Sequence, residues 1–372
     1  MNVDEWVSQV ARPRVKPELV TQRLVDGRIR IGGLTYTVGG EIEDPTGAVW
    51  TLVEGLDGTH TVEELTVHVR AAHPEVTSAE VRAGLCALVD AGYLDDADER
   101  KPTGLSQRDI QRYERGRRFF RWVDQYARNS WEPQLRLRDA AVTVVGMGGT
   151  GGSAALALAC SGVGRLHCVD YDIIELSNLN RQILFTDGDI GRPKVDAAVK
   201  RLRSHNADIT VTGQDLHITG QDDFSKLVSN CDALILAADT PGEIRSWANQ
   251  ACIATDTPWV DGGYHGPVPC ATTYIPGHGP CYECTWRHHH ERMRRSGTDS
   301  DYSPHRTAIN AVVAPTAIIS GQLLAHMVLA LLTKSMPVTP GQYRGIDLLA
   351  PDHLIVIDSP RYPDCLACGE KR

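Results

Sequence analysis

The sequence predicts an α/β chain in which a doubly wound sheet of mainly parallel strands is preceded by a small α+β unit. Three observations carry that expectation. The apolar runs at 142–145, 165–169 and 232–238 are short and bounded by glycine or aspartate, so they read as buried strands rather than helices. The first run passes through Gly146-Met-Gly148-Gly149-Thr-Gly151-Gly152 into an alanine-rich helical pattern, giving strand, loop and helix in succession. Residues 23–96 instead show short alternating strands and then short amphipathic patterns, a unit of a different kind.

In chain order, 28–38 reads as two strands about a Gly-Gly turn. A helix at 45–56 puts Val49, Leu52 and Val53 on one face. Thr61 with Glu63 and Glu64 starts a second helix, and Thr77-Ser-Ala-Glu80 caps a third. Strands plus three short helices suggest a winged helix. Such units often bind DNA, but this one is rich in Asp and Glu, and an extended peptide added to a strand edge near 28–38 suits it better. The polar, breaker-rich stretch 98–107 is the expected linker, so 1–100 forms the first domain, 101–140 a linker and crossover helix, and 141–372 the second domain. Residues 111–131 read as a helix ending before Pro133, with Phe119, Phe120 and Trp122 as packing residues. Its arginines, Arg115, Arg117, Arg118 and Arg121, form either a solvated face or an anion contact. A last helix spans 314–332.

The chemistry gathers in 142–194. Glycines let a loop turn tightly against a ligand, and the N–H groups opening the next helix attract an anion. Asp170 follows by roughly 20 residues, where a doubly wound fold needs an acceptor for ribose hydroxyls. Gly146, Gly148 and Gly151 alone fit a nicotinamide or flavin enzyme equally well. The residues that follow favour a triphosphate: Asp170-Tyr-Asp172, Ser177-Asn178-Leu179-Asn180-Arg181-Gln182 and Gly191-Arg-Pro-Lys194 concentrate charge that hydride transfer does not require.

These motifs, in this order and spacing, resemble the bacterial ubiquitin-activating-type (ThiF-type) adenylyltransferases, which activate the sulfur carriers of thiamine and molybdopterin synthesis. The resemblance runs from about residue 111 to the C-terminus and implies a Rossmann-like adenylation domain binding ATP and Mg²⁺. It implies that Gly146, Gly148, Gly149 and Gly151 cradle the nucleotide, Asp170 and Asp172 flank it, Asn178 and Arg181 contact it, and Lys194 touches the phosphates. It also implies that Asp239, in Ala237-Ala238-Asp239-Thr240, holds Mg²⁺, and that Arg115 completes the partner's site in a homodimer. The first domain resembles the PqqD-like leader-peptide recognition unit through "EGLDGTHTVEEL" and "LVDAGYLDD". Together the two halves resemble the microcin C and pantocin class of peptide-modifying enzymes.

Cys281-Tyr-Glu-Cys284 and Cys365-Leu-Ala-Cys368 suit one closed tetrahedral Zn²⁺ site, a structural clamp with no open position; a redox pair is the competing reading. That leaves His288, His289 and His290 as part of a solvated loop. Residues 285–310 read as a mobile crossing loop without the cysteine that thiol-transferring relatives place there, so thiol conjugation is in doubt. Cys160, Cys168, Cys231 and Cys252 fall in buried elements, while Cys86 and Cys270 stay open as nucleophiles.

A net charge of −9 argues against a nucleic-acid partner, no apolar run reaches spanning length, and the first residues lack a signal-peptide core, so a cytoplasmic enzyme is expected. The expected reaction is activation of a carboxyl group of a ribosomal precursor peptide as its adenylate, with ATP, or CTP through the same phosphate residues. Activation of a ubiquitin-like sulfur carrier and a non-catalytic leader-binding role are the alternatives.

Overall fold

In the computed structural model, which describes residues 3–32, 39–99, 102–123, 130–297 and 311–369, the chain divides into two units between Leu135 and Arg136. The first contains α1 (Val3–Gln9), β1 (Pro13–Val15), β2 (Thr21–Arg23), β3 (Ile29–Ile31), β4 (Gly40–Ile42), α2 (Ala48–Gly55), α3 (Val62–Ala72), α4 (Ser78–Asp90), β5 (Leu94–Asp96) and α5 (Gln107–Val123). The Thr61/Glu64 and Thr77/Glu80 capping boxes start α3 and α4, each satisfying orphan N–H groups reciprocally. Ile29, Ile31, Leu65 and Leu85 fill the core.

The structure places several features of this unit differently from expectation. The described part of 28–38 is β3, the middle strand of β2-β3-β4, so among the described residues the free edges are β2 and β4; residues 33–38 lie outside the described residues. The arginine face is largely consumed: Arg121 is 4% exposed and pairs with Asp95 and Glu18, Arg117 with Glu99 and Glu114, and Arg118 with Glu114, while Arg115 is exposed. Phe120 packs inside and Trp122 lies against the core, but Phe119 is 40% exposed. The expected linker at 98–107 lies within this unit, where Glu99 accepts from the Ser130 N–H at 2.7 Å.

Pro133 does not follow a helix but sits in the first turn of α6 (Glu132–Asp139), where a missing N–H costs nothing. The second unit then runs β6 (Ala141–Val145), α7 (Gly149–Ser161), β7 (Arg165–Asp170), α8 (Lys194–His205), β8 (Thr210–Asp215), α9 (Gln221–Val228), β9 (Ala233–Leu236), α10 (Ile244–Thr255), β10 (Trp259–His265), β11 (Val268–Tyr274), α11 (Tyr282–Arg295), α12 (Ala314–Thr333), β12 (Tyr343–Ile346) and β13 (Leu354–Ile357). Its sheet has the order β13-β12-β11-β10-β9-β6-β7-β8, parallel from β10 to β8 and antiparallel from β10 to β13. The winding goes outward from β6 through β7 to β8, then restarts on the other side at β9. A crevice therefore opens between the carboxyl ends of β6 and β9, where doubly wound folds bind ligands.

By length and composition α12 is apolar enough to cross a membrane, contrary to the expectation that no run is. In the fold it is a core helix packed on α7 and on β9 to β11. The α7 contact is made by small residues: a Cβ on Gly321 would lie 2.3 Å from Thr150 O, and Thr150 Oγ1 and Ser320 Oγ are hydrogen-bonded at 2.7 Å. The segment after Cys284, expected as a loop, is helical through Arg295. It has no breaker before Gly297 and carries an Arg287/Glu291 pair one turn apart; only 298–310 lie outside the described residues.

Candidate active site

The loop between β6 and α7 is shaped by contacts that only glycine allows. Gly146 has φ 91, and a Cβ there would lie 2.5 Å from Ala237 O; at Gly151 it would lie 1.8 Å from Gly146 O. The loop thus presses on the segment after β9, and α7 presents its first N–H groups to the crevice. Asp170 ends β7. Its carboxylate accepts from the Met147 N–H at 2.6 Å and from the Asp172 N–H at 2.8 Å. Burial pushes its carboxyl above the usual range, against the pull of those donors and of Lys194.

A cavity of about 1120 Å³ opens here, larger than the roughly 300–1,000 Å³ of a single-ligand pocket. Gly146, Gly148, Gly149, Asp170, Asp172, Arg181, Lys194 and Asp239 line it, so eight of the anticipated nucleotide residues come together. Lys194 opens α8 with 8% of its side chain exposed and donates from Nζ to Asp172 Oδ2 at 2.8 Å. Arg181 Nη1 donates to Ser177 O and Asn180 Oδ1, each at 3.0 Å. Asn178 is placed elsewhere: it is buried, its Oδ1 accepts from the Glu175 N–H at 3.1 Å, and it does not line the cavity. Gly151 serves loop packing. Arg115 belongs to the first unit.

Four lining residues had no role assigned by the sequence. Arg245 on α10 donates from Nε to both oxygens of Asp261 at 3.0 Å and from Nη2 to Asp239 Oδ1 at 2.8 Å. Burial opposes its charge, but Asp261 and Asp239 outweigh that and hold its pKa above the ordinary value. Asp261 arrives by register, paired with Leu236 at the end of β9. Gln182 is 4% exposed and its Oε1 has no hydrogen-bond partner, leaving an acceptor beside the glycine loop. His265 closes β10 at the cavity rim. Gln182 had a sequence signal in its place after Arg181, and Tyr264 and His265 had one in the glycine-rich stretch 259–276, which reads as a channel-lining loop but forms the hairpin of β10 and β11 beside the cavity.

On the far wall, His288 and His289 line the cavity from α11 beside Trp286 and Arg292, correcting their placement in a solvated loop. Cys270 also lines it but is 5% exposed, and burial pushes its thiol up. Cys160 is exposed on α7, contrary to expectation, and Cys231 is half-buried.

The four sulfurs of Cys281, Cys284, Cys365 and Cys368 lie within 4.8 Å of one another, with Cys281–Cys365 at 3.7 Å, Cys284–Cys368 at 3.5 Å and Cys281–Cys284 at 4.0 Å. A tetrahedral Zn²⁺ with bonds of about 2.3 Å requires edges of about 3.8 Å, so the donor set fits. Burial pushes the Cys281 thiol up and Cys284 up to about 11, a cost that a bound cation removes. The Tyr362 N–H already points at Cys284 Sγ, at 3.5 Å.

The ThiF family profile matches residues 123–367, most of the chain. The chain belongs to the ThiF family of adenylyltransferases. Among ThiF-family relatives it is similar to the vegetative HesA protein of Trichormus variabilis, 40% identical over 44% of this chain and 61% of that protein. It is also similar to the sulfur carrier protein ThiS adenylyltransferase of Escherichia coli, 35% identical over 58% of this chain and 80% of the relative. In fold it is similar to the crystal structure of Escherichia coli MccB with AMPCPP and MccA: TM-score 0.76, 22% identity, covering 96% of this chain and 100% of that one.

Proposed function

We propose that this ThiF-family chain activates a carboxyl group of a ribosomally made precursor peptide as its acyl-adenylate, using ATP, in peptide natural-product biosynthesis. The observation that carries the reading is a cavity larger than one ligand needs, with the glycine loop and its charged residues on one side and the aromatic and imidazole wall of α11 on the other. The fold likeness to MccB, solved with the peptide MccA, covers both halves of the chain and supports a peptide as the second reactant.

A peptide carboxylate is ionised at neutral pH, so it attacks the α-phosphorus without a base. Positioning and charge compensation remain. The glycine loop and α7 hold the phosphates, Asp170 accepts from the ribose, and Arg181 and Lys194 meet the phosphate oxygens as pyrophosphate leaves. Because Arg245 is already matched by two carboxylates, the triphosphate needs a cation beyond Arg181 and Lys194. Asp239, with 74% of its side chain exposed, and Asp172 at 49% are hard oxygen donors that suit Mg²⁺. Mg²⁺ bound there supplies charge neutralisation of the phosphates. Arg115, exposed on α5, completes the site across a homodimer; residues 1–100 recognise the leader; the four cysteines hold structural Zn²⁺; and use of ATP places the reaction in the cytoplasm.

ATP–pyrophosphate exchange with the short peptide encoded beside the gene tests this: exchange dependent on that peptide supports it. The relative that activates the sulfur carrier ThiS favours a second reading, activation of a ubiquitin-like carrier. Exchange with such a carrier and none with the peptide would establish that reading instead.

A further inference from the structure

Gln182 follows Arg181 at the end of the turn that displays it. Backbone bonds fix where it stands: its N–H donates to Asn178 O at 3.0 Å and its carbonyl accepts from the Phe185 N–H at 3.1 Å. The turn leans on the glycine loop. A Cβ added to Gly149 would lie 3.2 Å from Arg181 O, and one added to Gly148 would lie 3.8 Å from Gln182 Nε2. The amide nitrogen therefore stands beside Gly148, the residue that precedes the first turn of α7, on the wall of the cavity. The other end of the amide is informative. The residue is 4% exposed, and its Oε1 is buried without a hydrogen-bond partner. A buried oxygen left in that state costs stability, and methionine or leucine would fill the same space without the cost. Packing does not explain an amide at this position; a ligand for its nitrogen does.

Neighbouring groups place that ligand. Asp170, the proposed ribose acceptor, takes the Met147 N–H at 2.6 Å, so the ribose stands against Met147. The phosphate joined to the ribose then falls on the next residues, Gly148 and Gly149, where the opening N–H groups of α7 attract an anion. We propose that Gln182 is a further catalytic residue, its Nε2–H donating to a non-bridging oxygen of the α-phosphate during adenylate formation. This rests on the reading that the chain forms an acyl-adenylate. In that step a carboxylate oxygen attacks the α-phosphorus and a P–O bond forms; the bond from phosphorus to the bridging oxygen breaks, and pyrophosphate leaves with the electron pair. No proton moves. The obstacle is one anion approaching another, and the non-bridging oxygens carry the charge that repels the carboxylate. A donor fixed on one of them offsets that charge and holds the phosphorus in line for attack, and an amide locked by burial does so without reorganising.

The test uses the full chain with ATP, Mg²⁺ and the peptide encoded beside its gene, comparing the wild type with Gln182→Met and Gln182→Leu. Both variants are expected to keep their Tm or raise it, because the unpartnered oxygen is gone. Pyrophosphate exchange is expected to fall by about 10²–10³-fold, as when one donor is removed from an oxyanion site, and mainly in kcat. A second readout is one that a packing role would not move. ATP with sulfur in place of one non-bridging α-oxygen exists as two diastereomers, and sulfur accepts the amide N–H poorly. The wild type should use the two unequally, and the ratio should shift in both variants. Wild-type exchange in Gln182→Met, exchange lost only together with Tm in both variants, or a diastereomer ratio unchanged from wild type each overturns this inference alone. No exchange in the wild type, with the peptide or with a ubiquitin-like carrier, removes the acyl-adenylate on which it rests.

Discussion

Two cations stand at the carboxyl ends of the same sheet, and they are held differently. Lys194 pairs with Asp172, whose side chain is half in solvent. Arg245 is gripped from two sides, by the exposed Asp239 and by Asp261, which is 15% exposed. Lys194 can exchange its carboxylate for a phosphate oxygen while Asp172 turns back to water. Arg245 has no such freedom, since leaving Asp261 would strand a buried charge. On the proposed function, the comparison separates a charge free to take part in chemistry from one that fixes the frame around it.

The proposed zinc clasp, outside both clusters, sets the upper end of the stability scale. Elemental analysis should find about one zinc per chain, and Cys365→Ser should lose it together with much of the thermal stability, since structural zinc contributes on the order of 10 kcal/mol. A metal-free wild type of unchanged stability would remove the clasp. Next, Arg245→Met should cost about 3–5 kcal/mol in urea unfolding by leaving Asp261 without its cation. Lys194→Met should cost under about 1 kcal/mol, because Asp172 is already half solvated, yet lower pyrophosphate exchange by about 10²-fold or more. Equal losses of stability in the two variants would erase the distinction. Asp239→Ala should abolish exchange with nearly unchanged stability and peptide affinity, Arg245 keeping Asp261; loss of peptide binding as well would show that Asp239 serves the wrong ligand. The smallest effect concerns Asp170. Its pKa in the folded chain is raised above the unfolded value, so it favours the folded state at low pH, and that contribution is lost as pH rises through the window between the ordinary and the raised values. Tm followed across that window should fall slightly without ATP, and ATP should stabilise more as the carboxylate forms. Lys194→Met should move the window upward, since Lys194 is one of the groups holding it down.

Most of the Lys194 side of the site was legible because its residues follow one another along the chain: glycine loop, Asp170, Asp172, Arg181 and Lys194 are a linear motif. Asp239 was legible as the residue closing an apolar run. Arg245 and Asp261 were not, because they meet only through the register that sets β10 beside β9 and the position of α10 over both. Asn178 shows the reverse: a residue prominent in the motif turns inward to hold the turn that displays Arg181. The α/β fold followed from the strand runs, but α11 did not, since its density of charge resembles a loop. The signal was there in the absence of Gly or Pro from Tyr282 to Ser296 and in the one-turn spacing of Arg287 and Glu291. The middle position of β3 was beyond reach, because short alternating strands do not declare their neighbours.

Gly321 sits in a helix that carries no residue of the proposed site, yet its backbone rests against the opening turn of α7, where a single methyl would collide with Thr150 O and Ser153 Cβ. The nucleotide loop therefore has a hidden tenant. A mutational survey that ranks positions by distance from the ligand would pass over this one, and Gly321→Ala would surface as a nucleotide-binding defect with every ligand-contacting side chain intact.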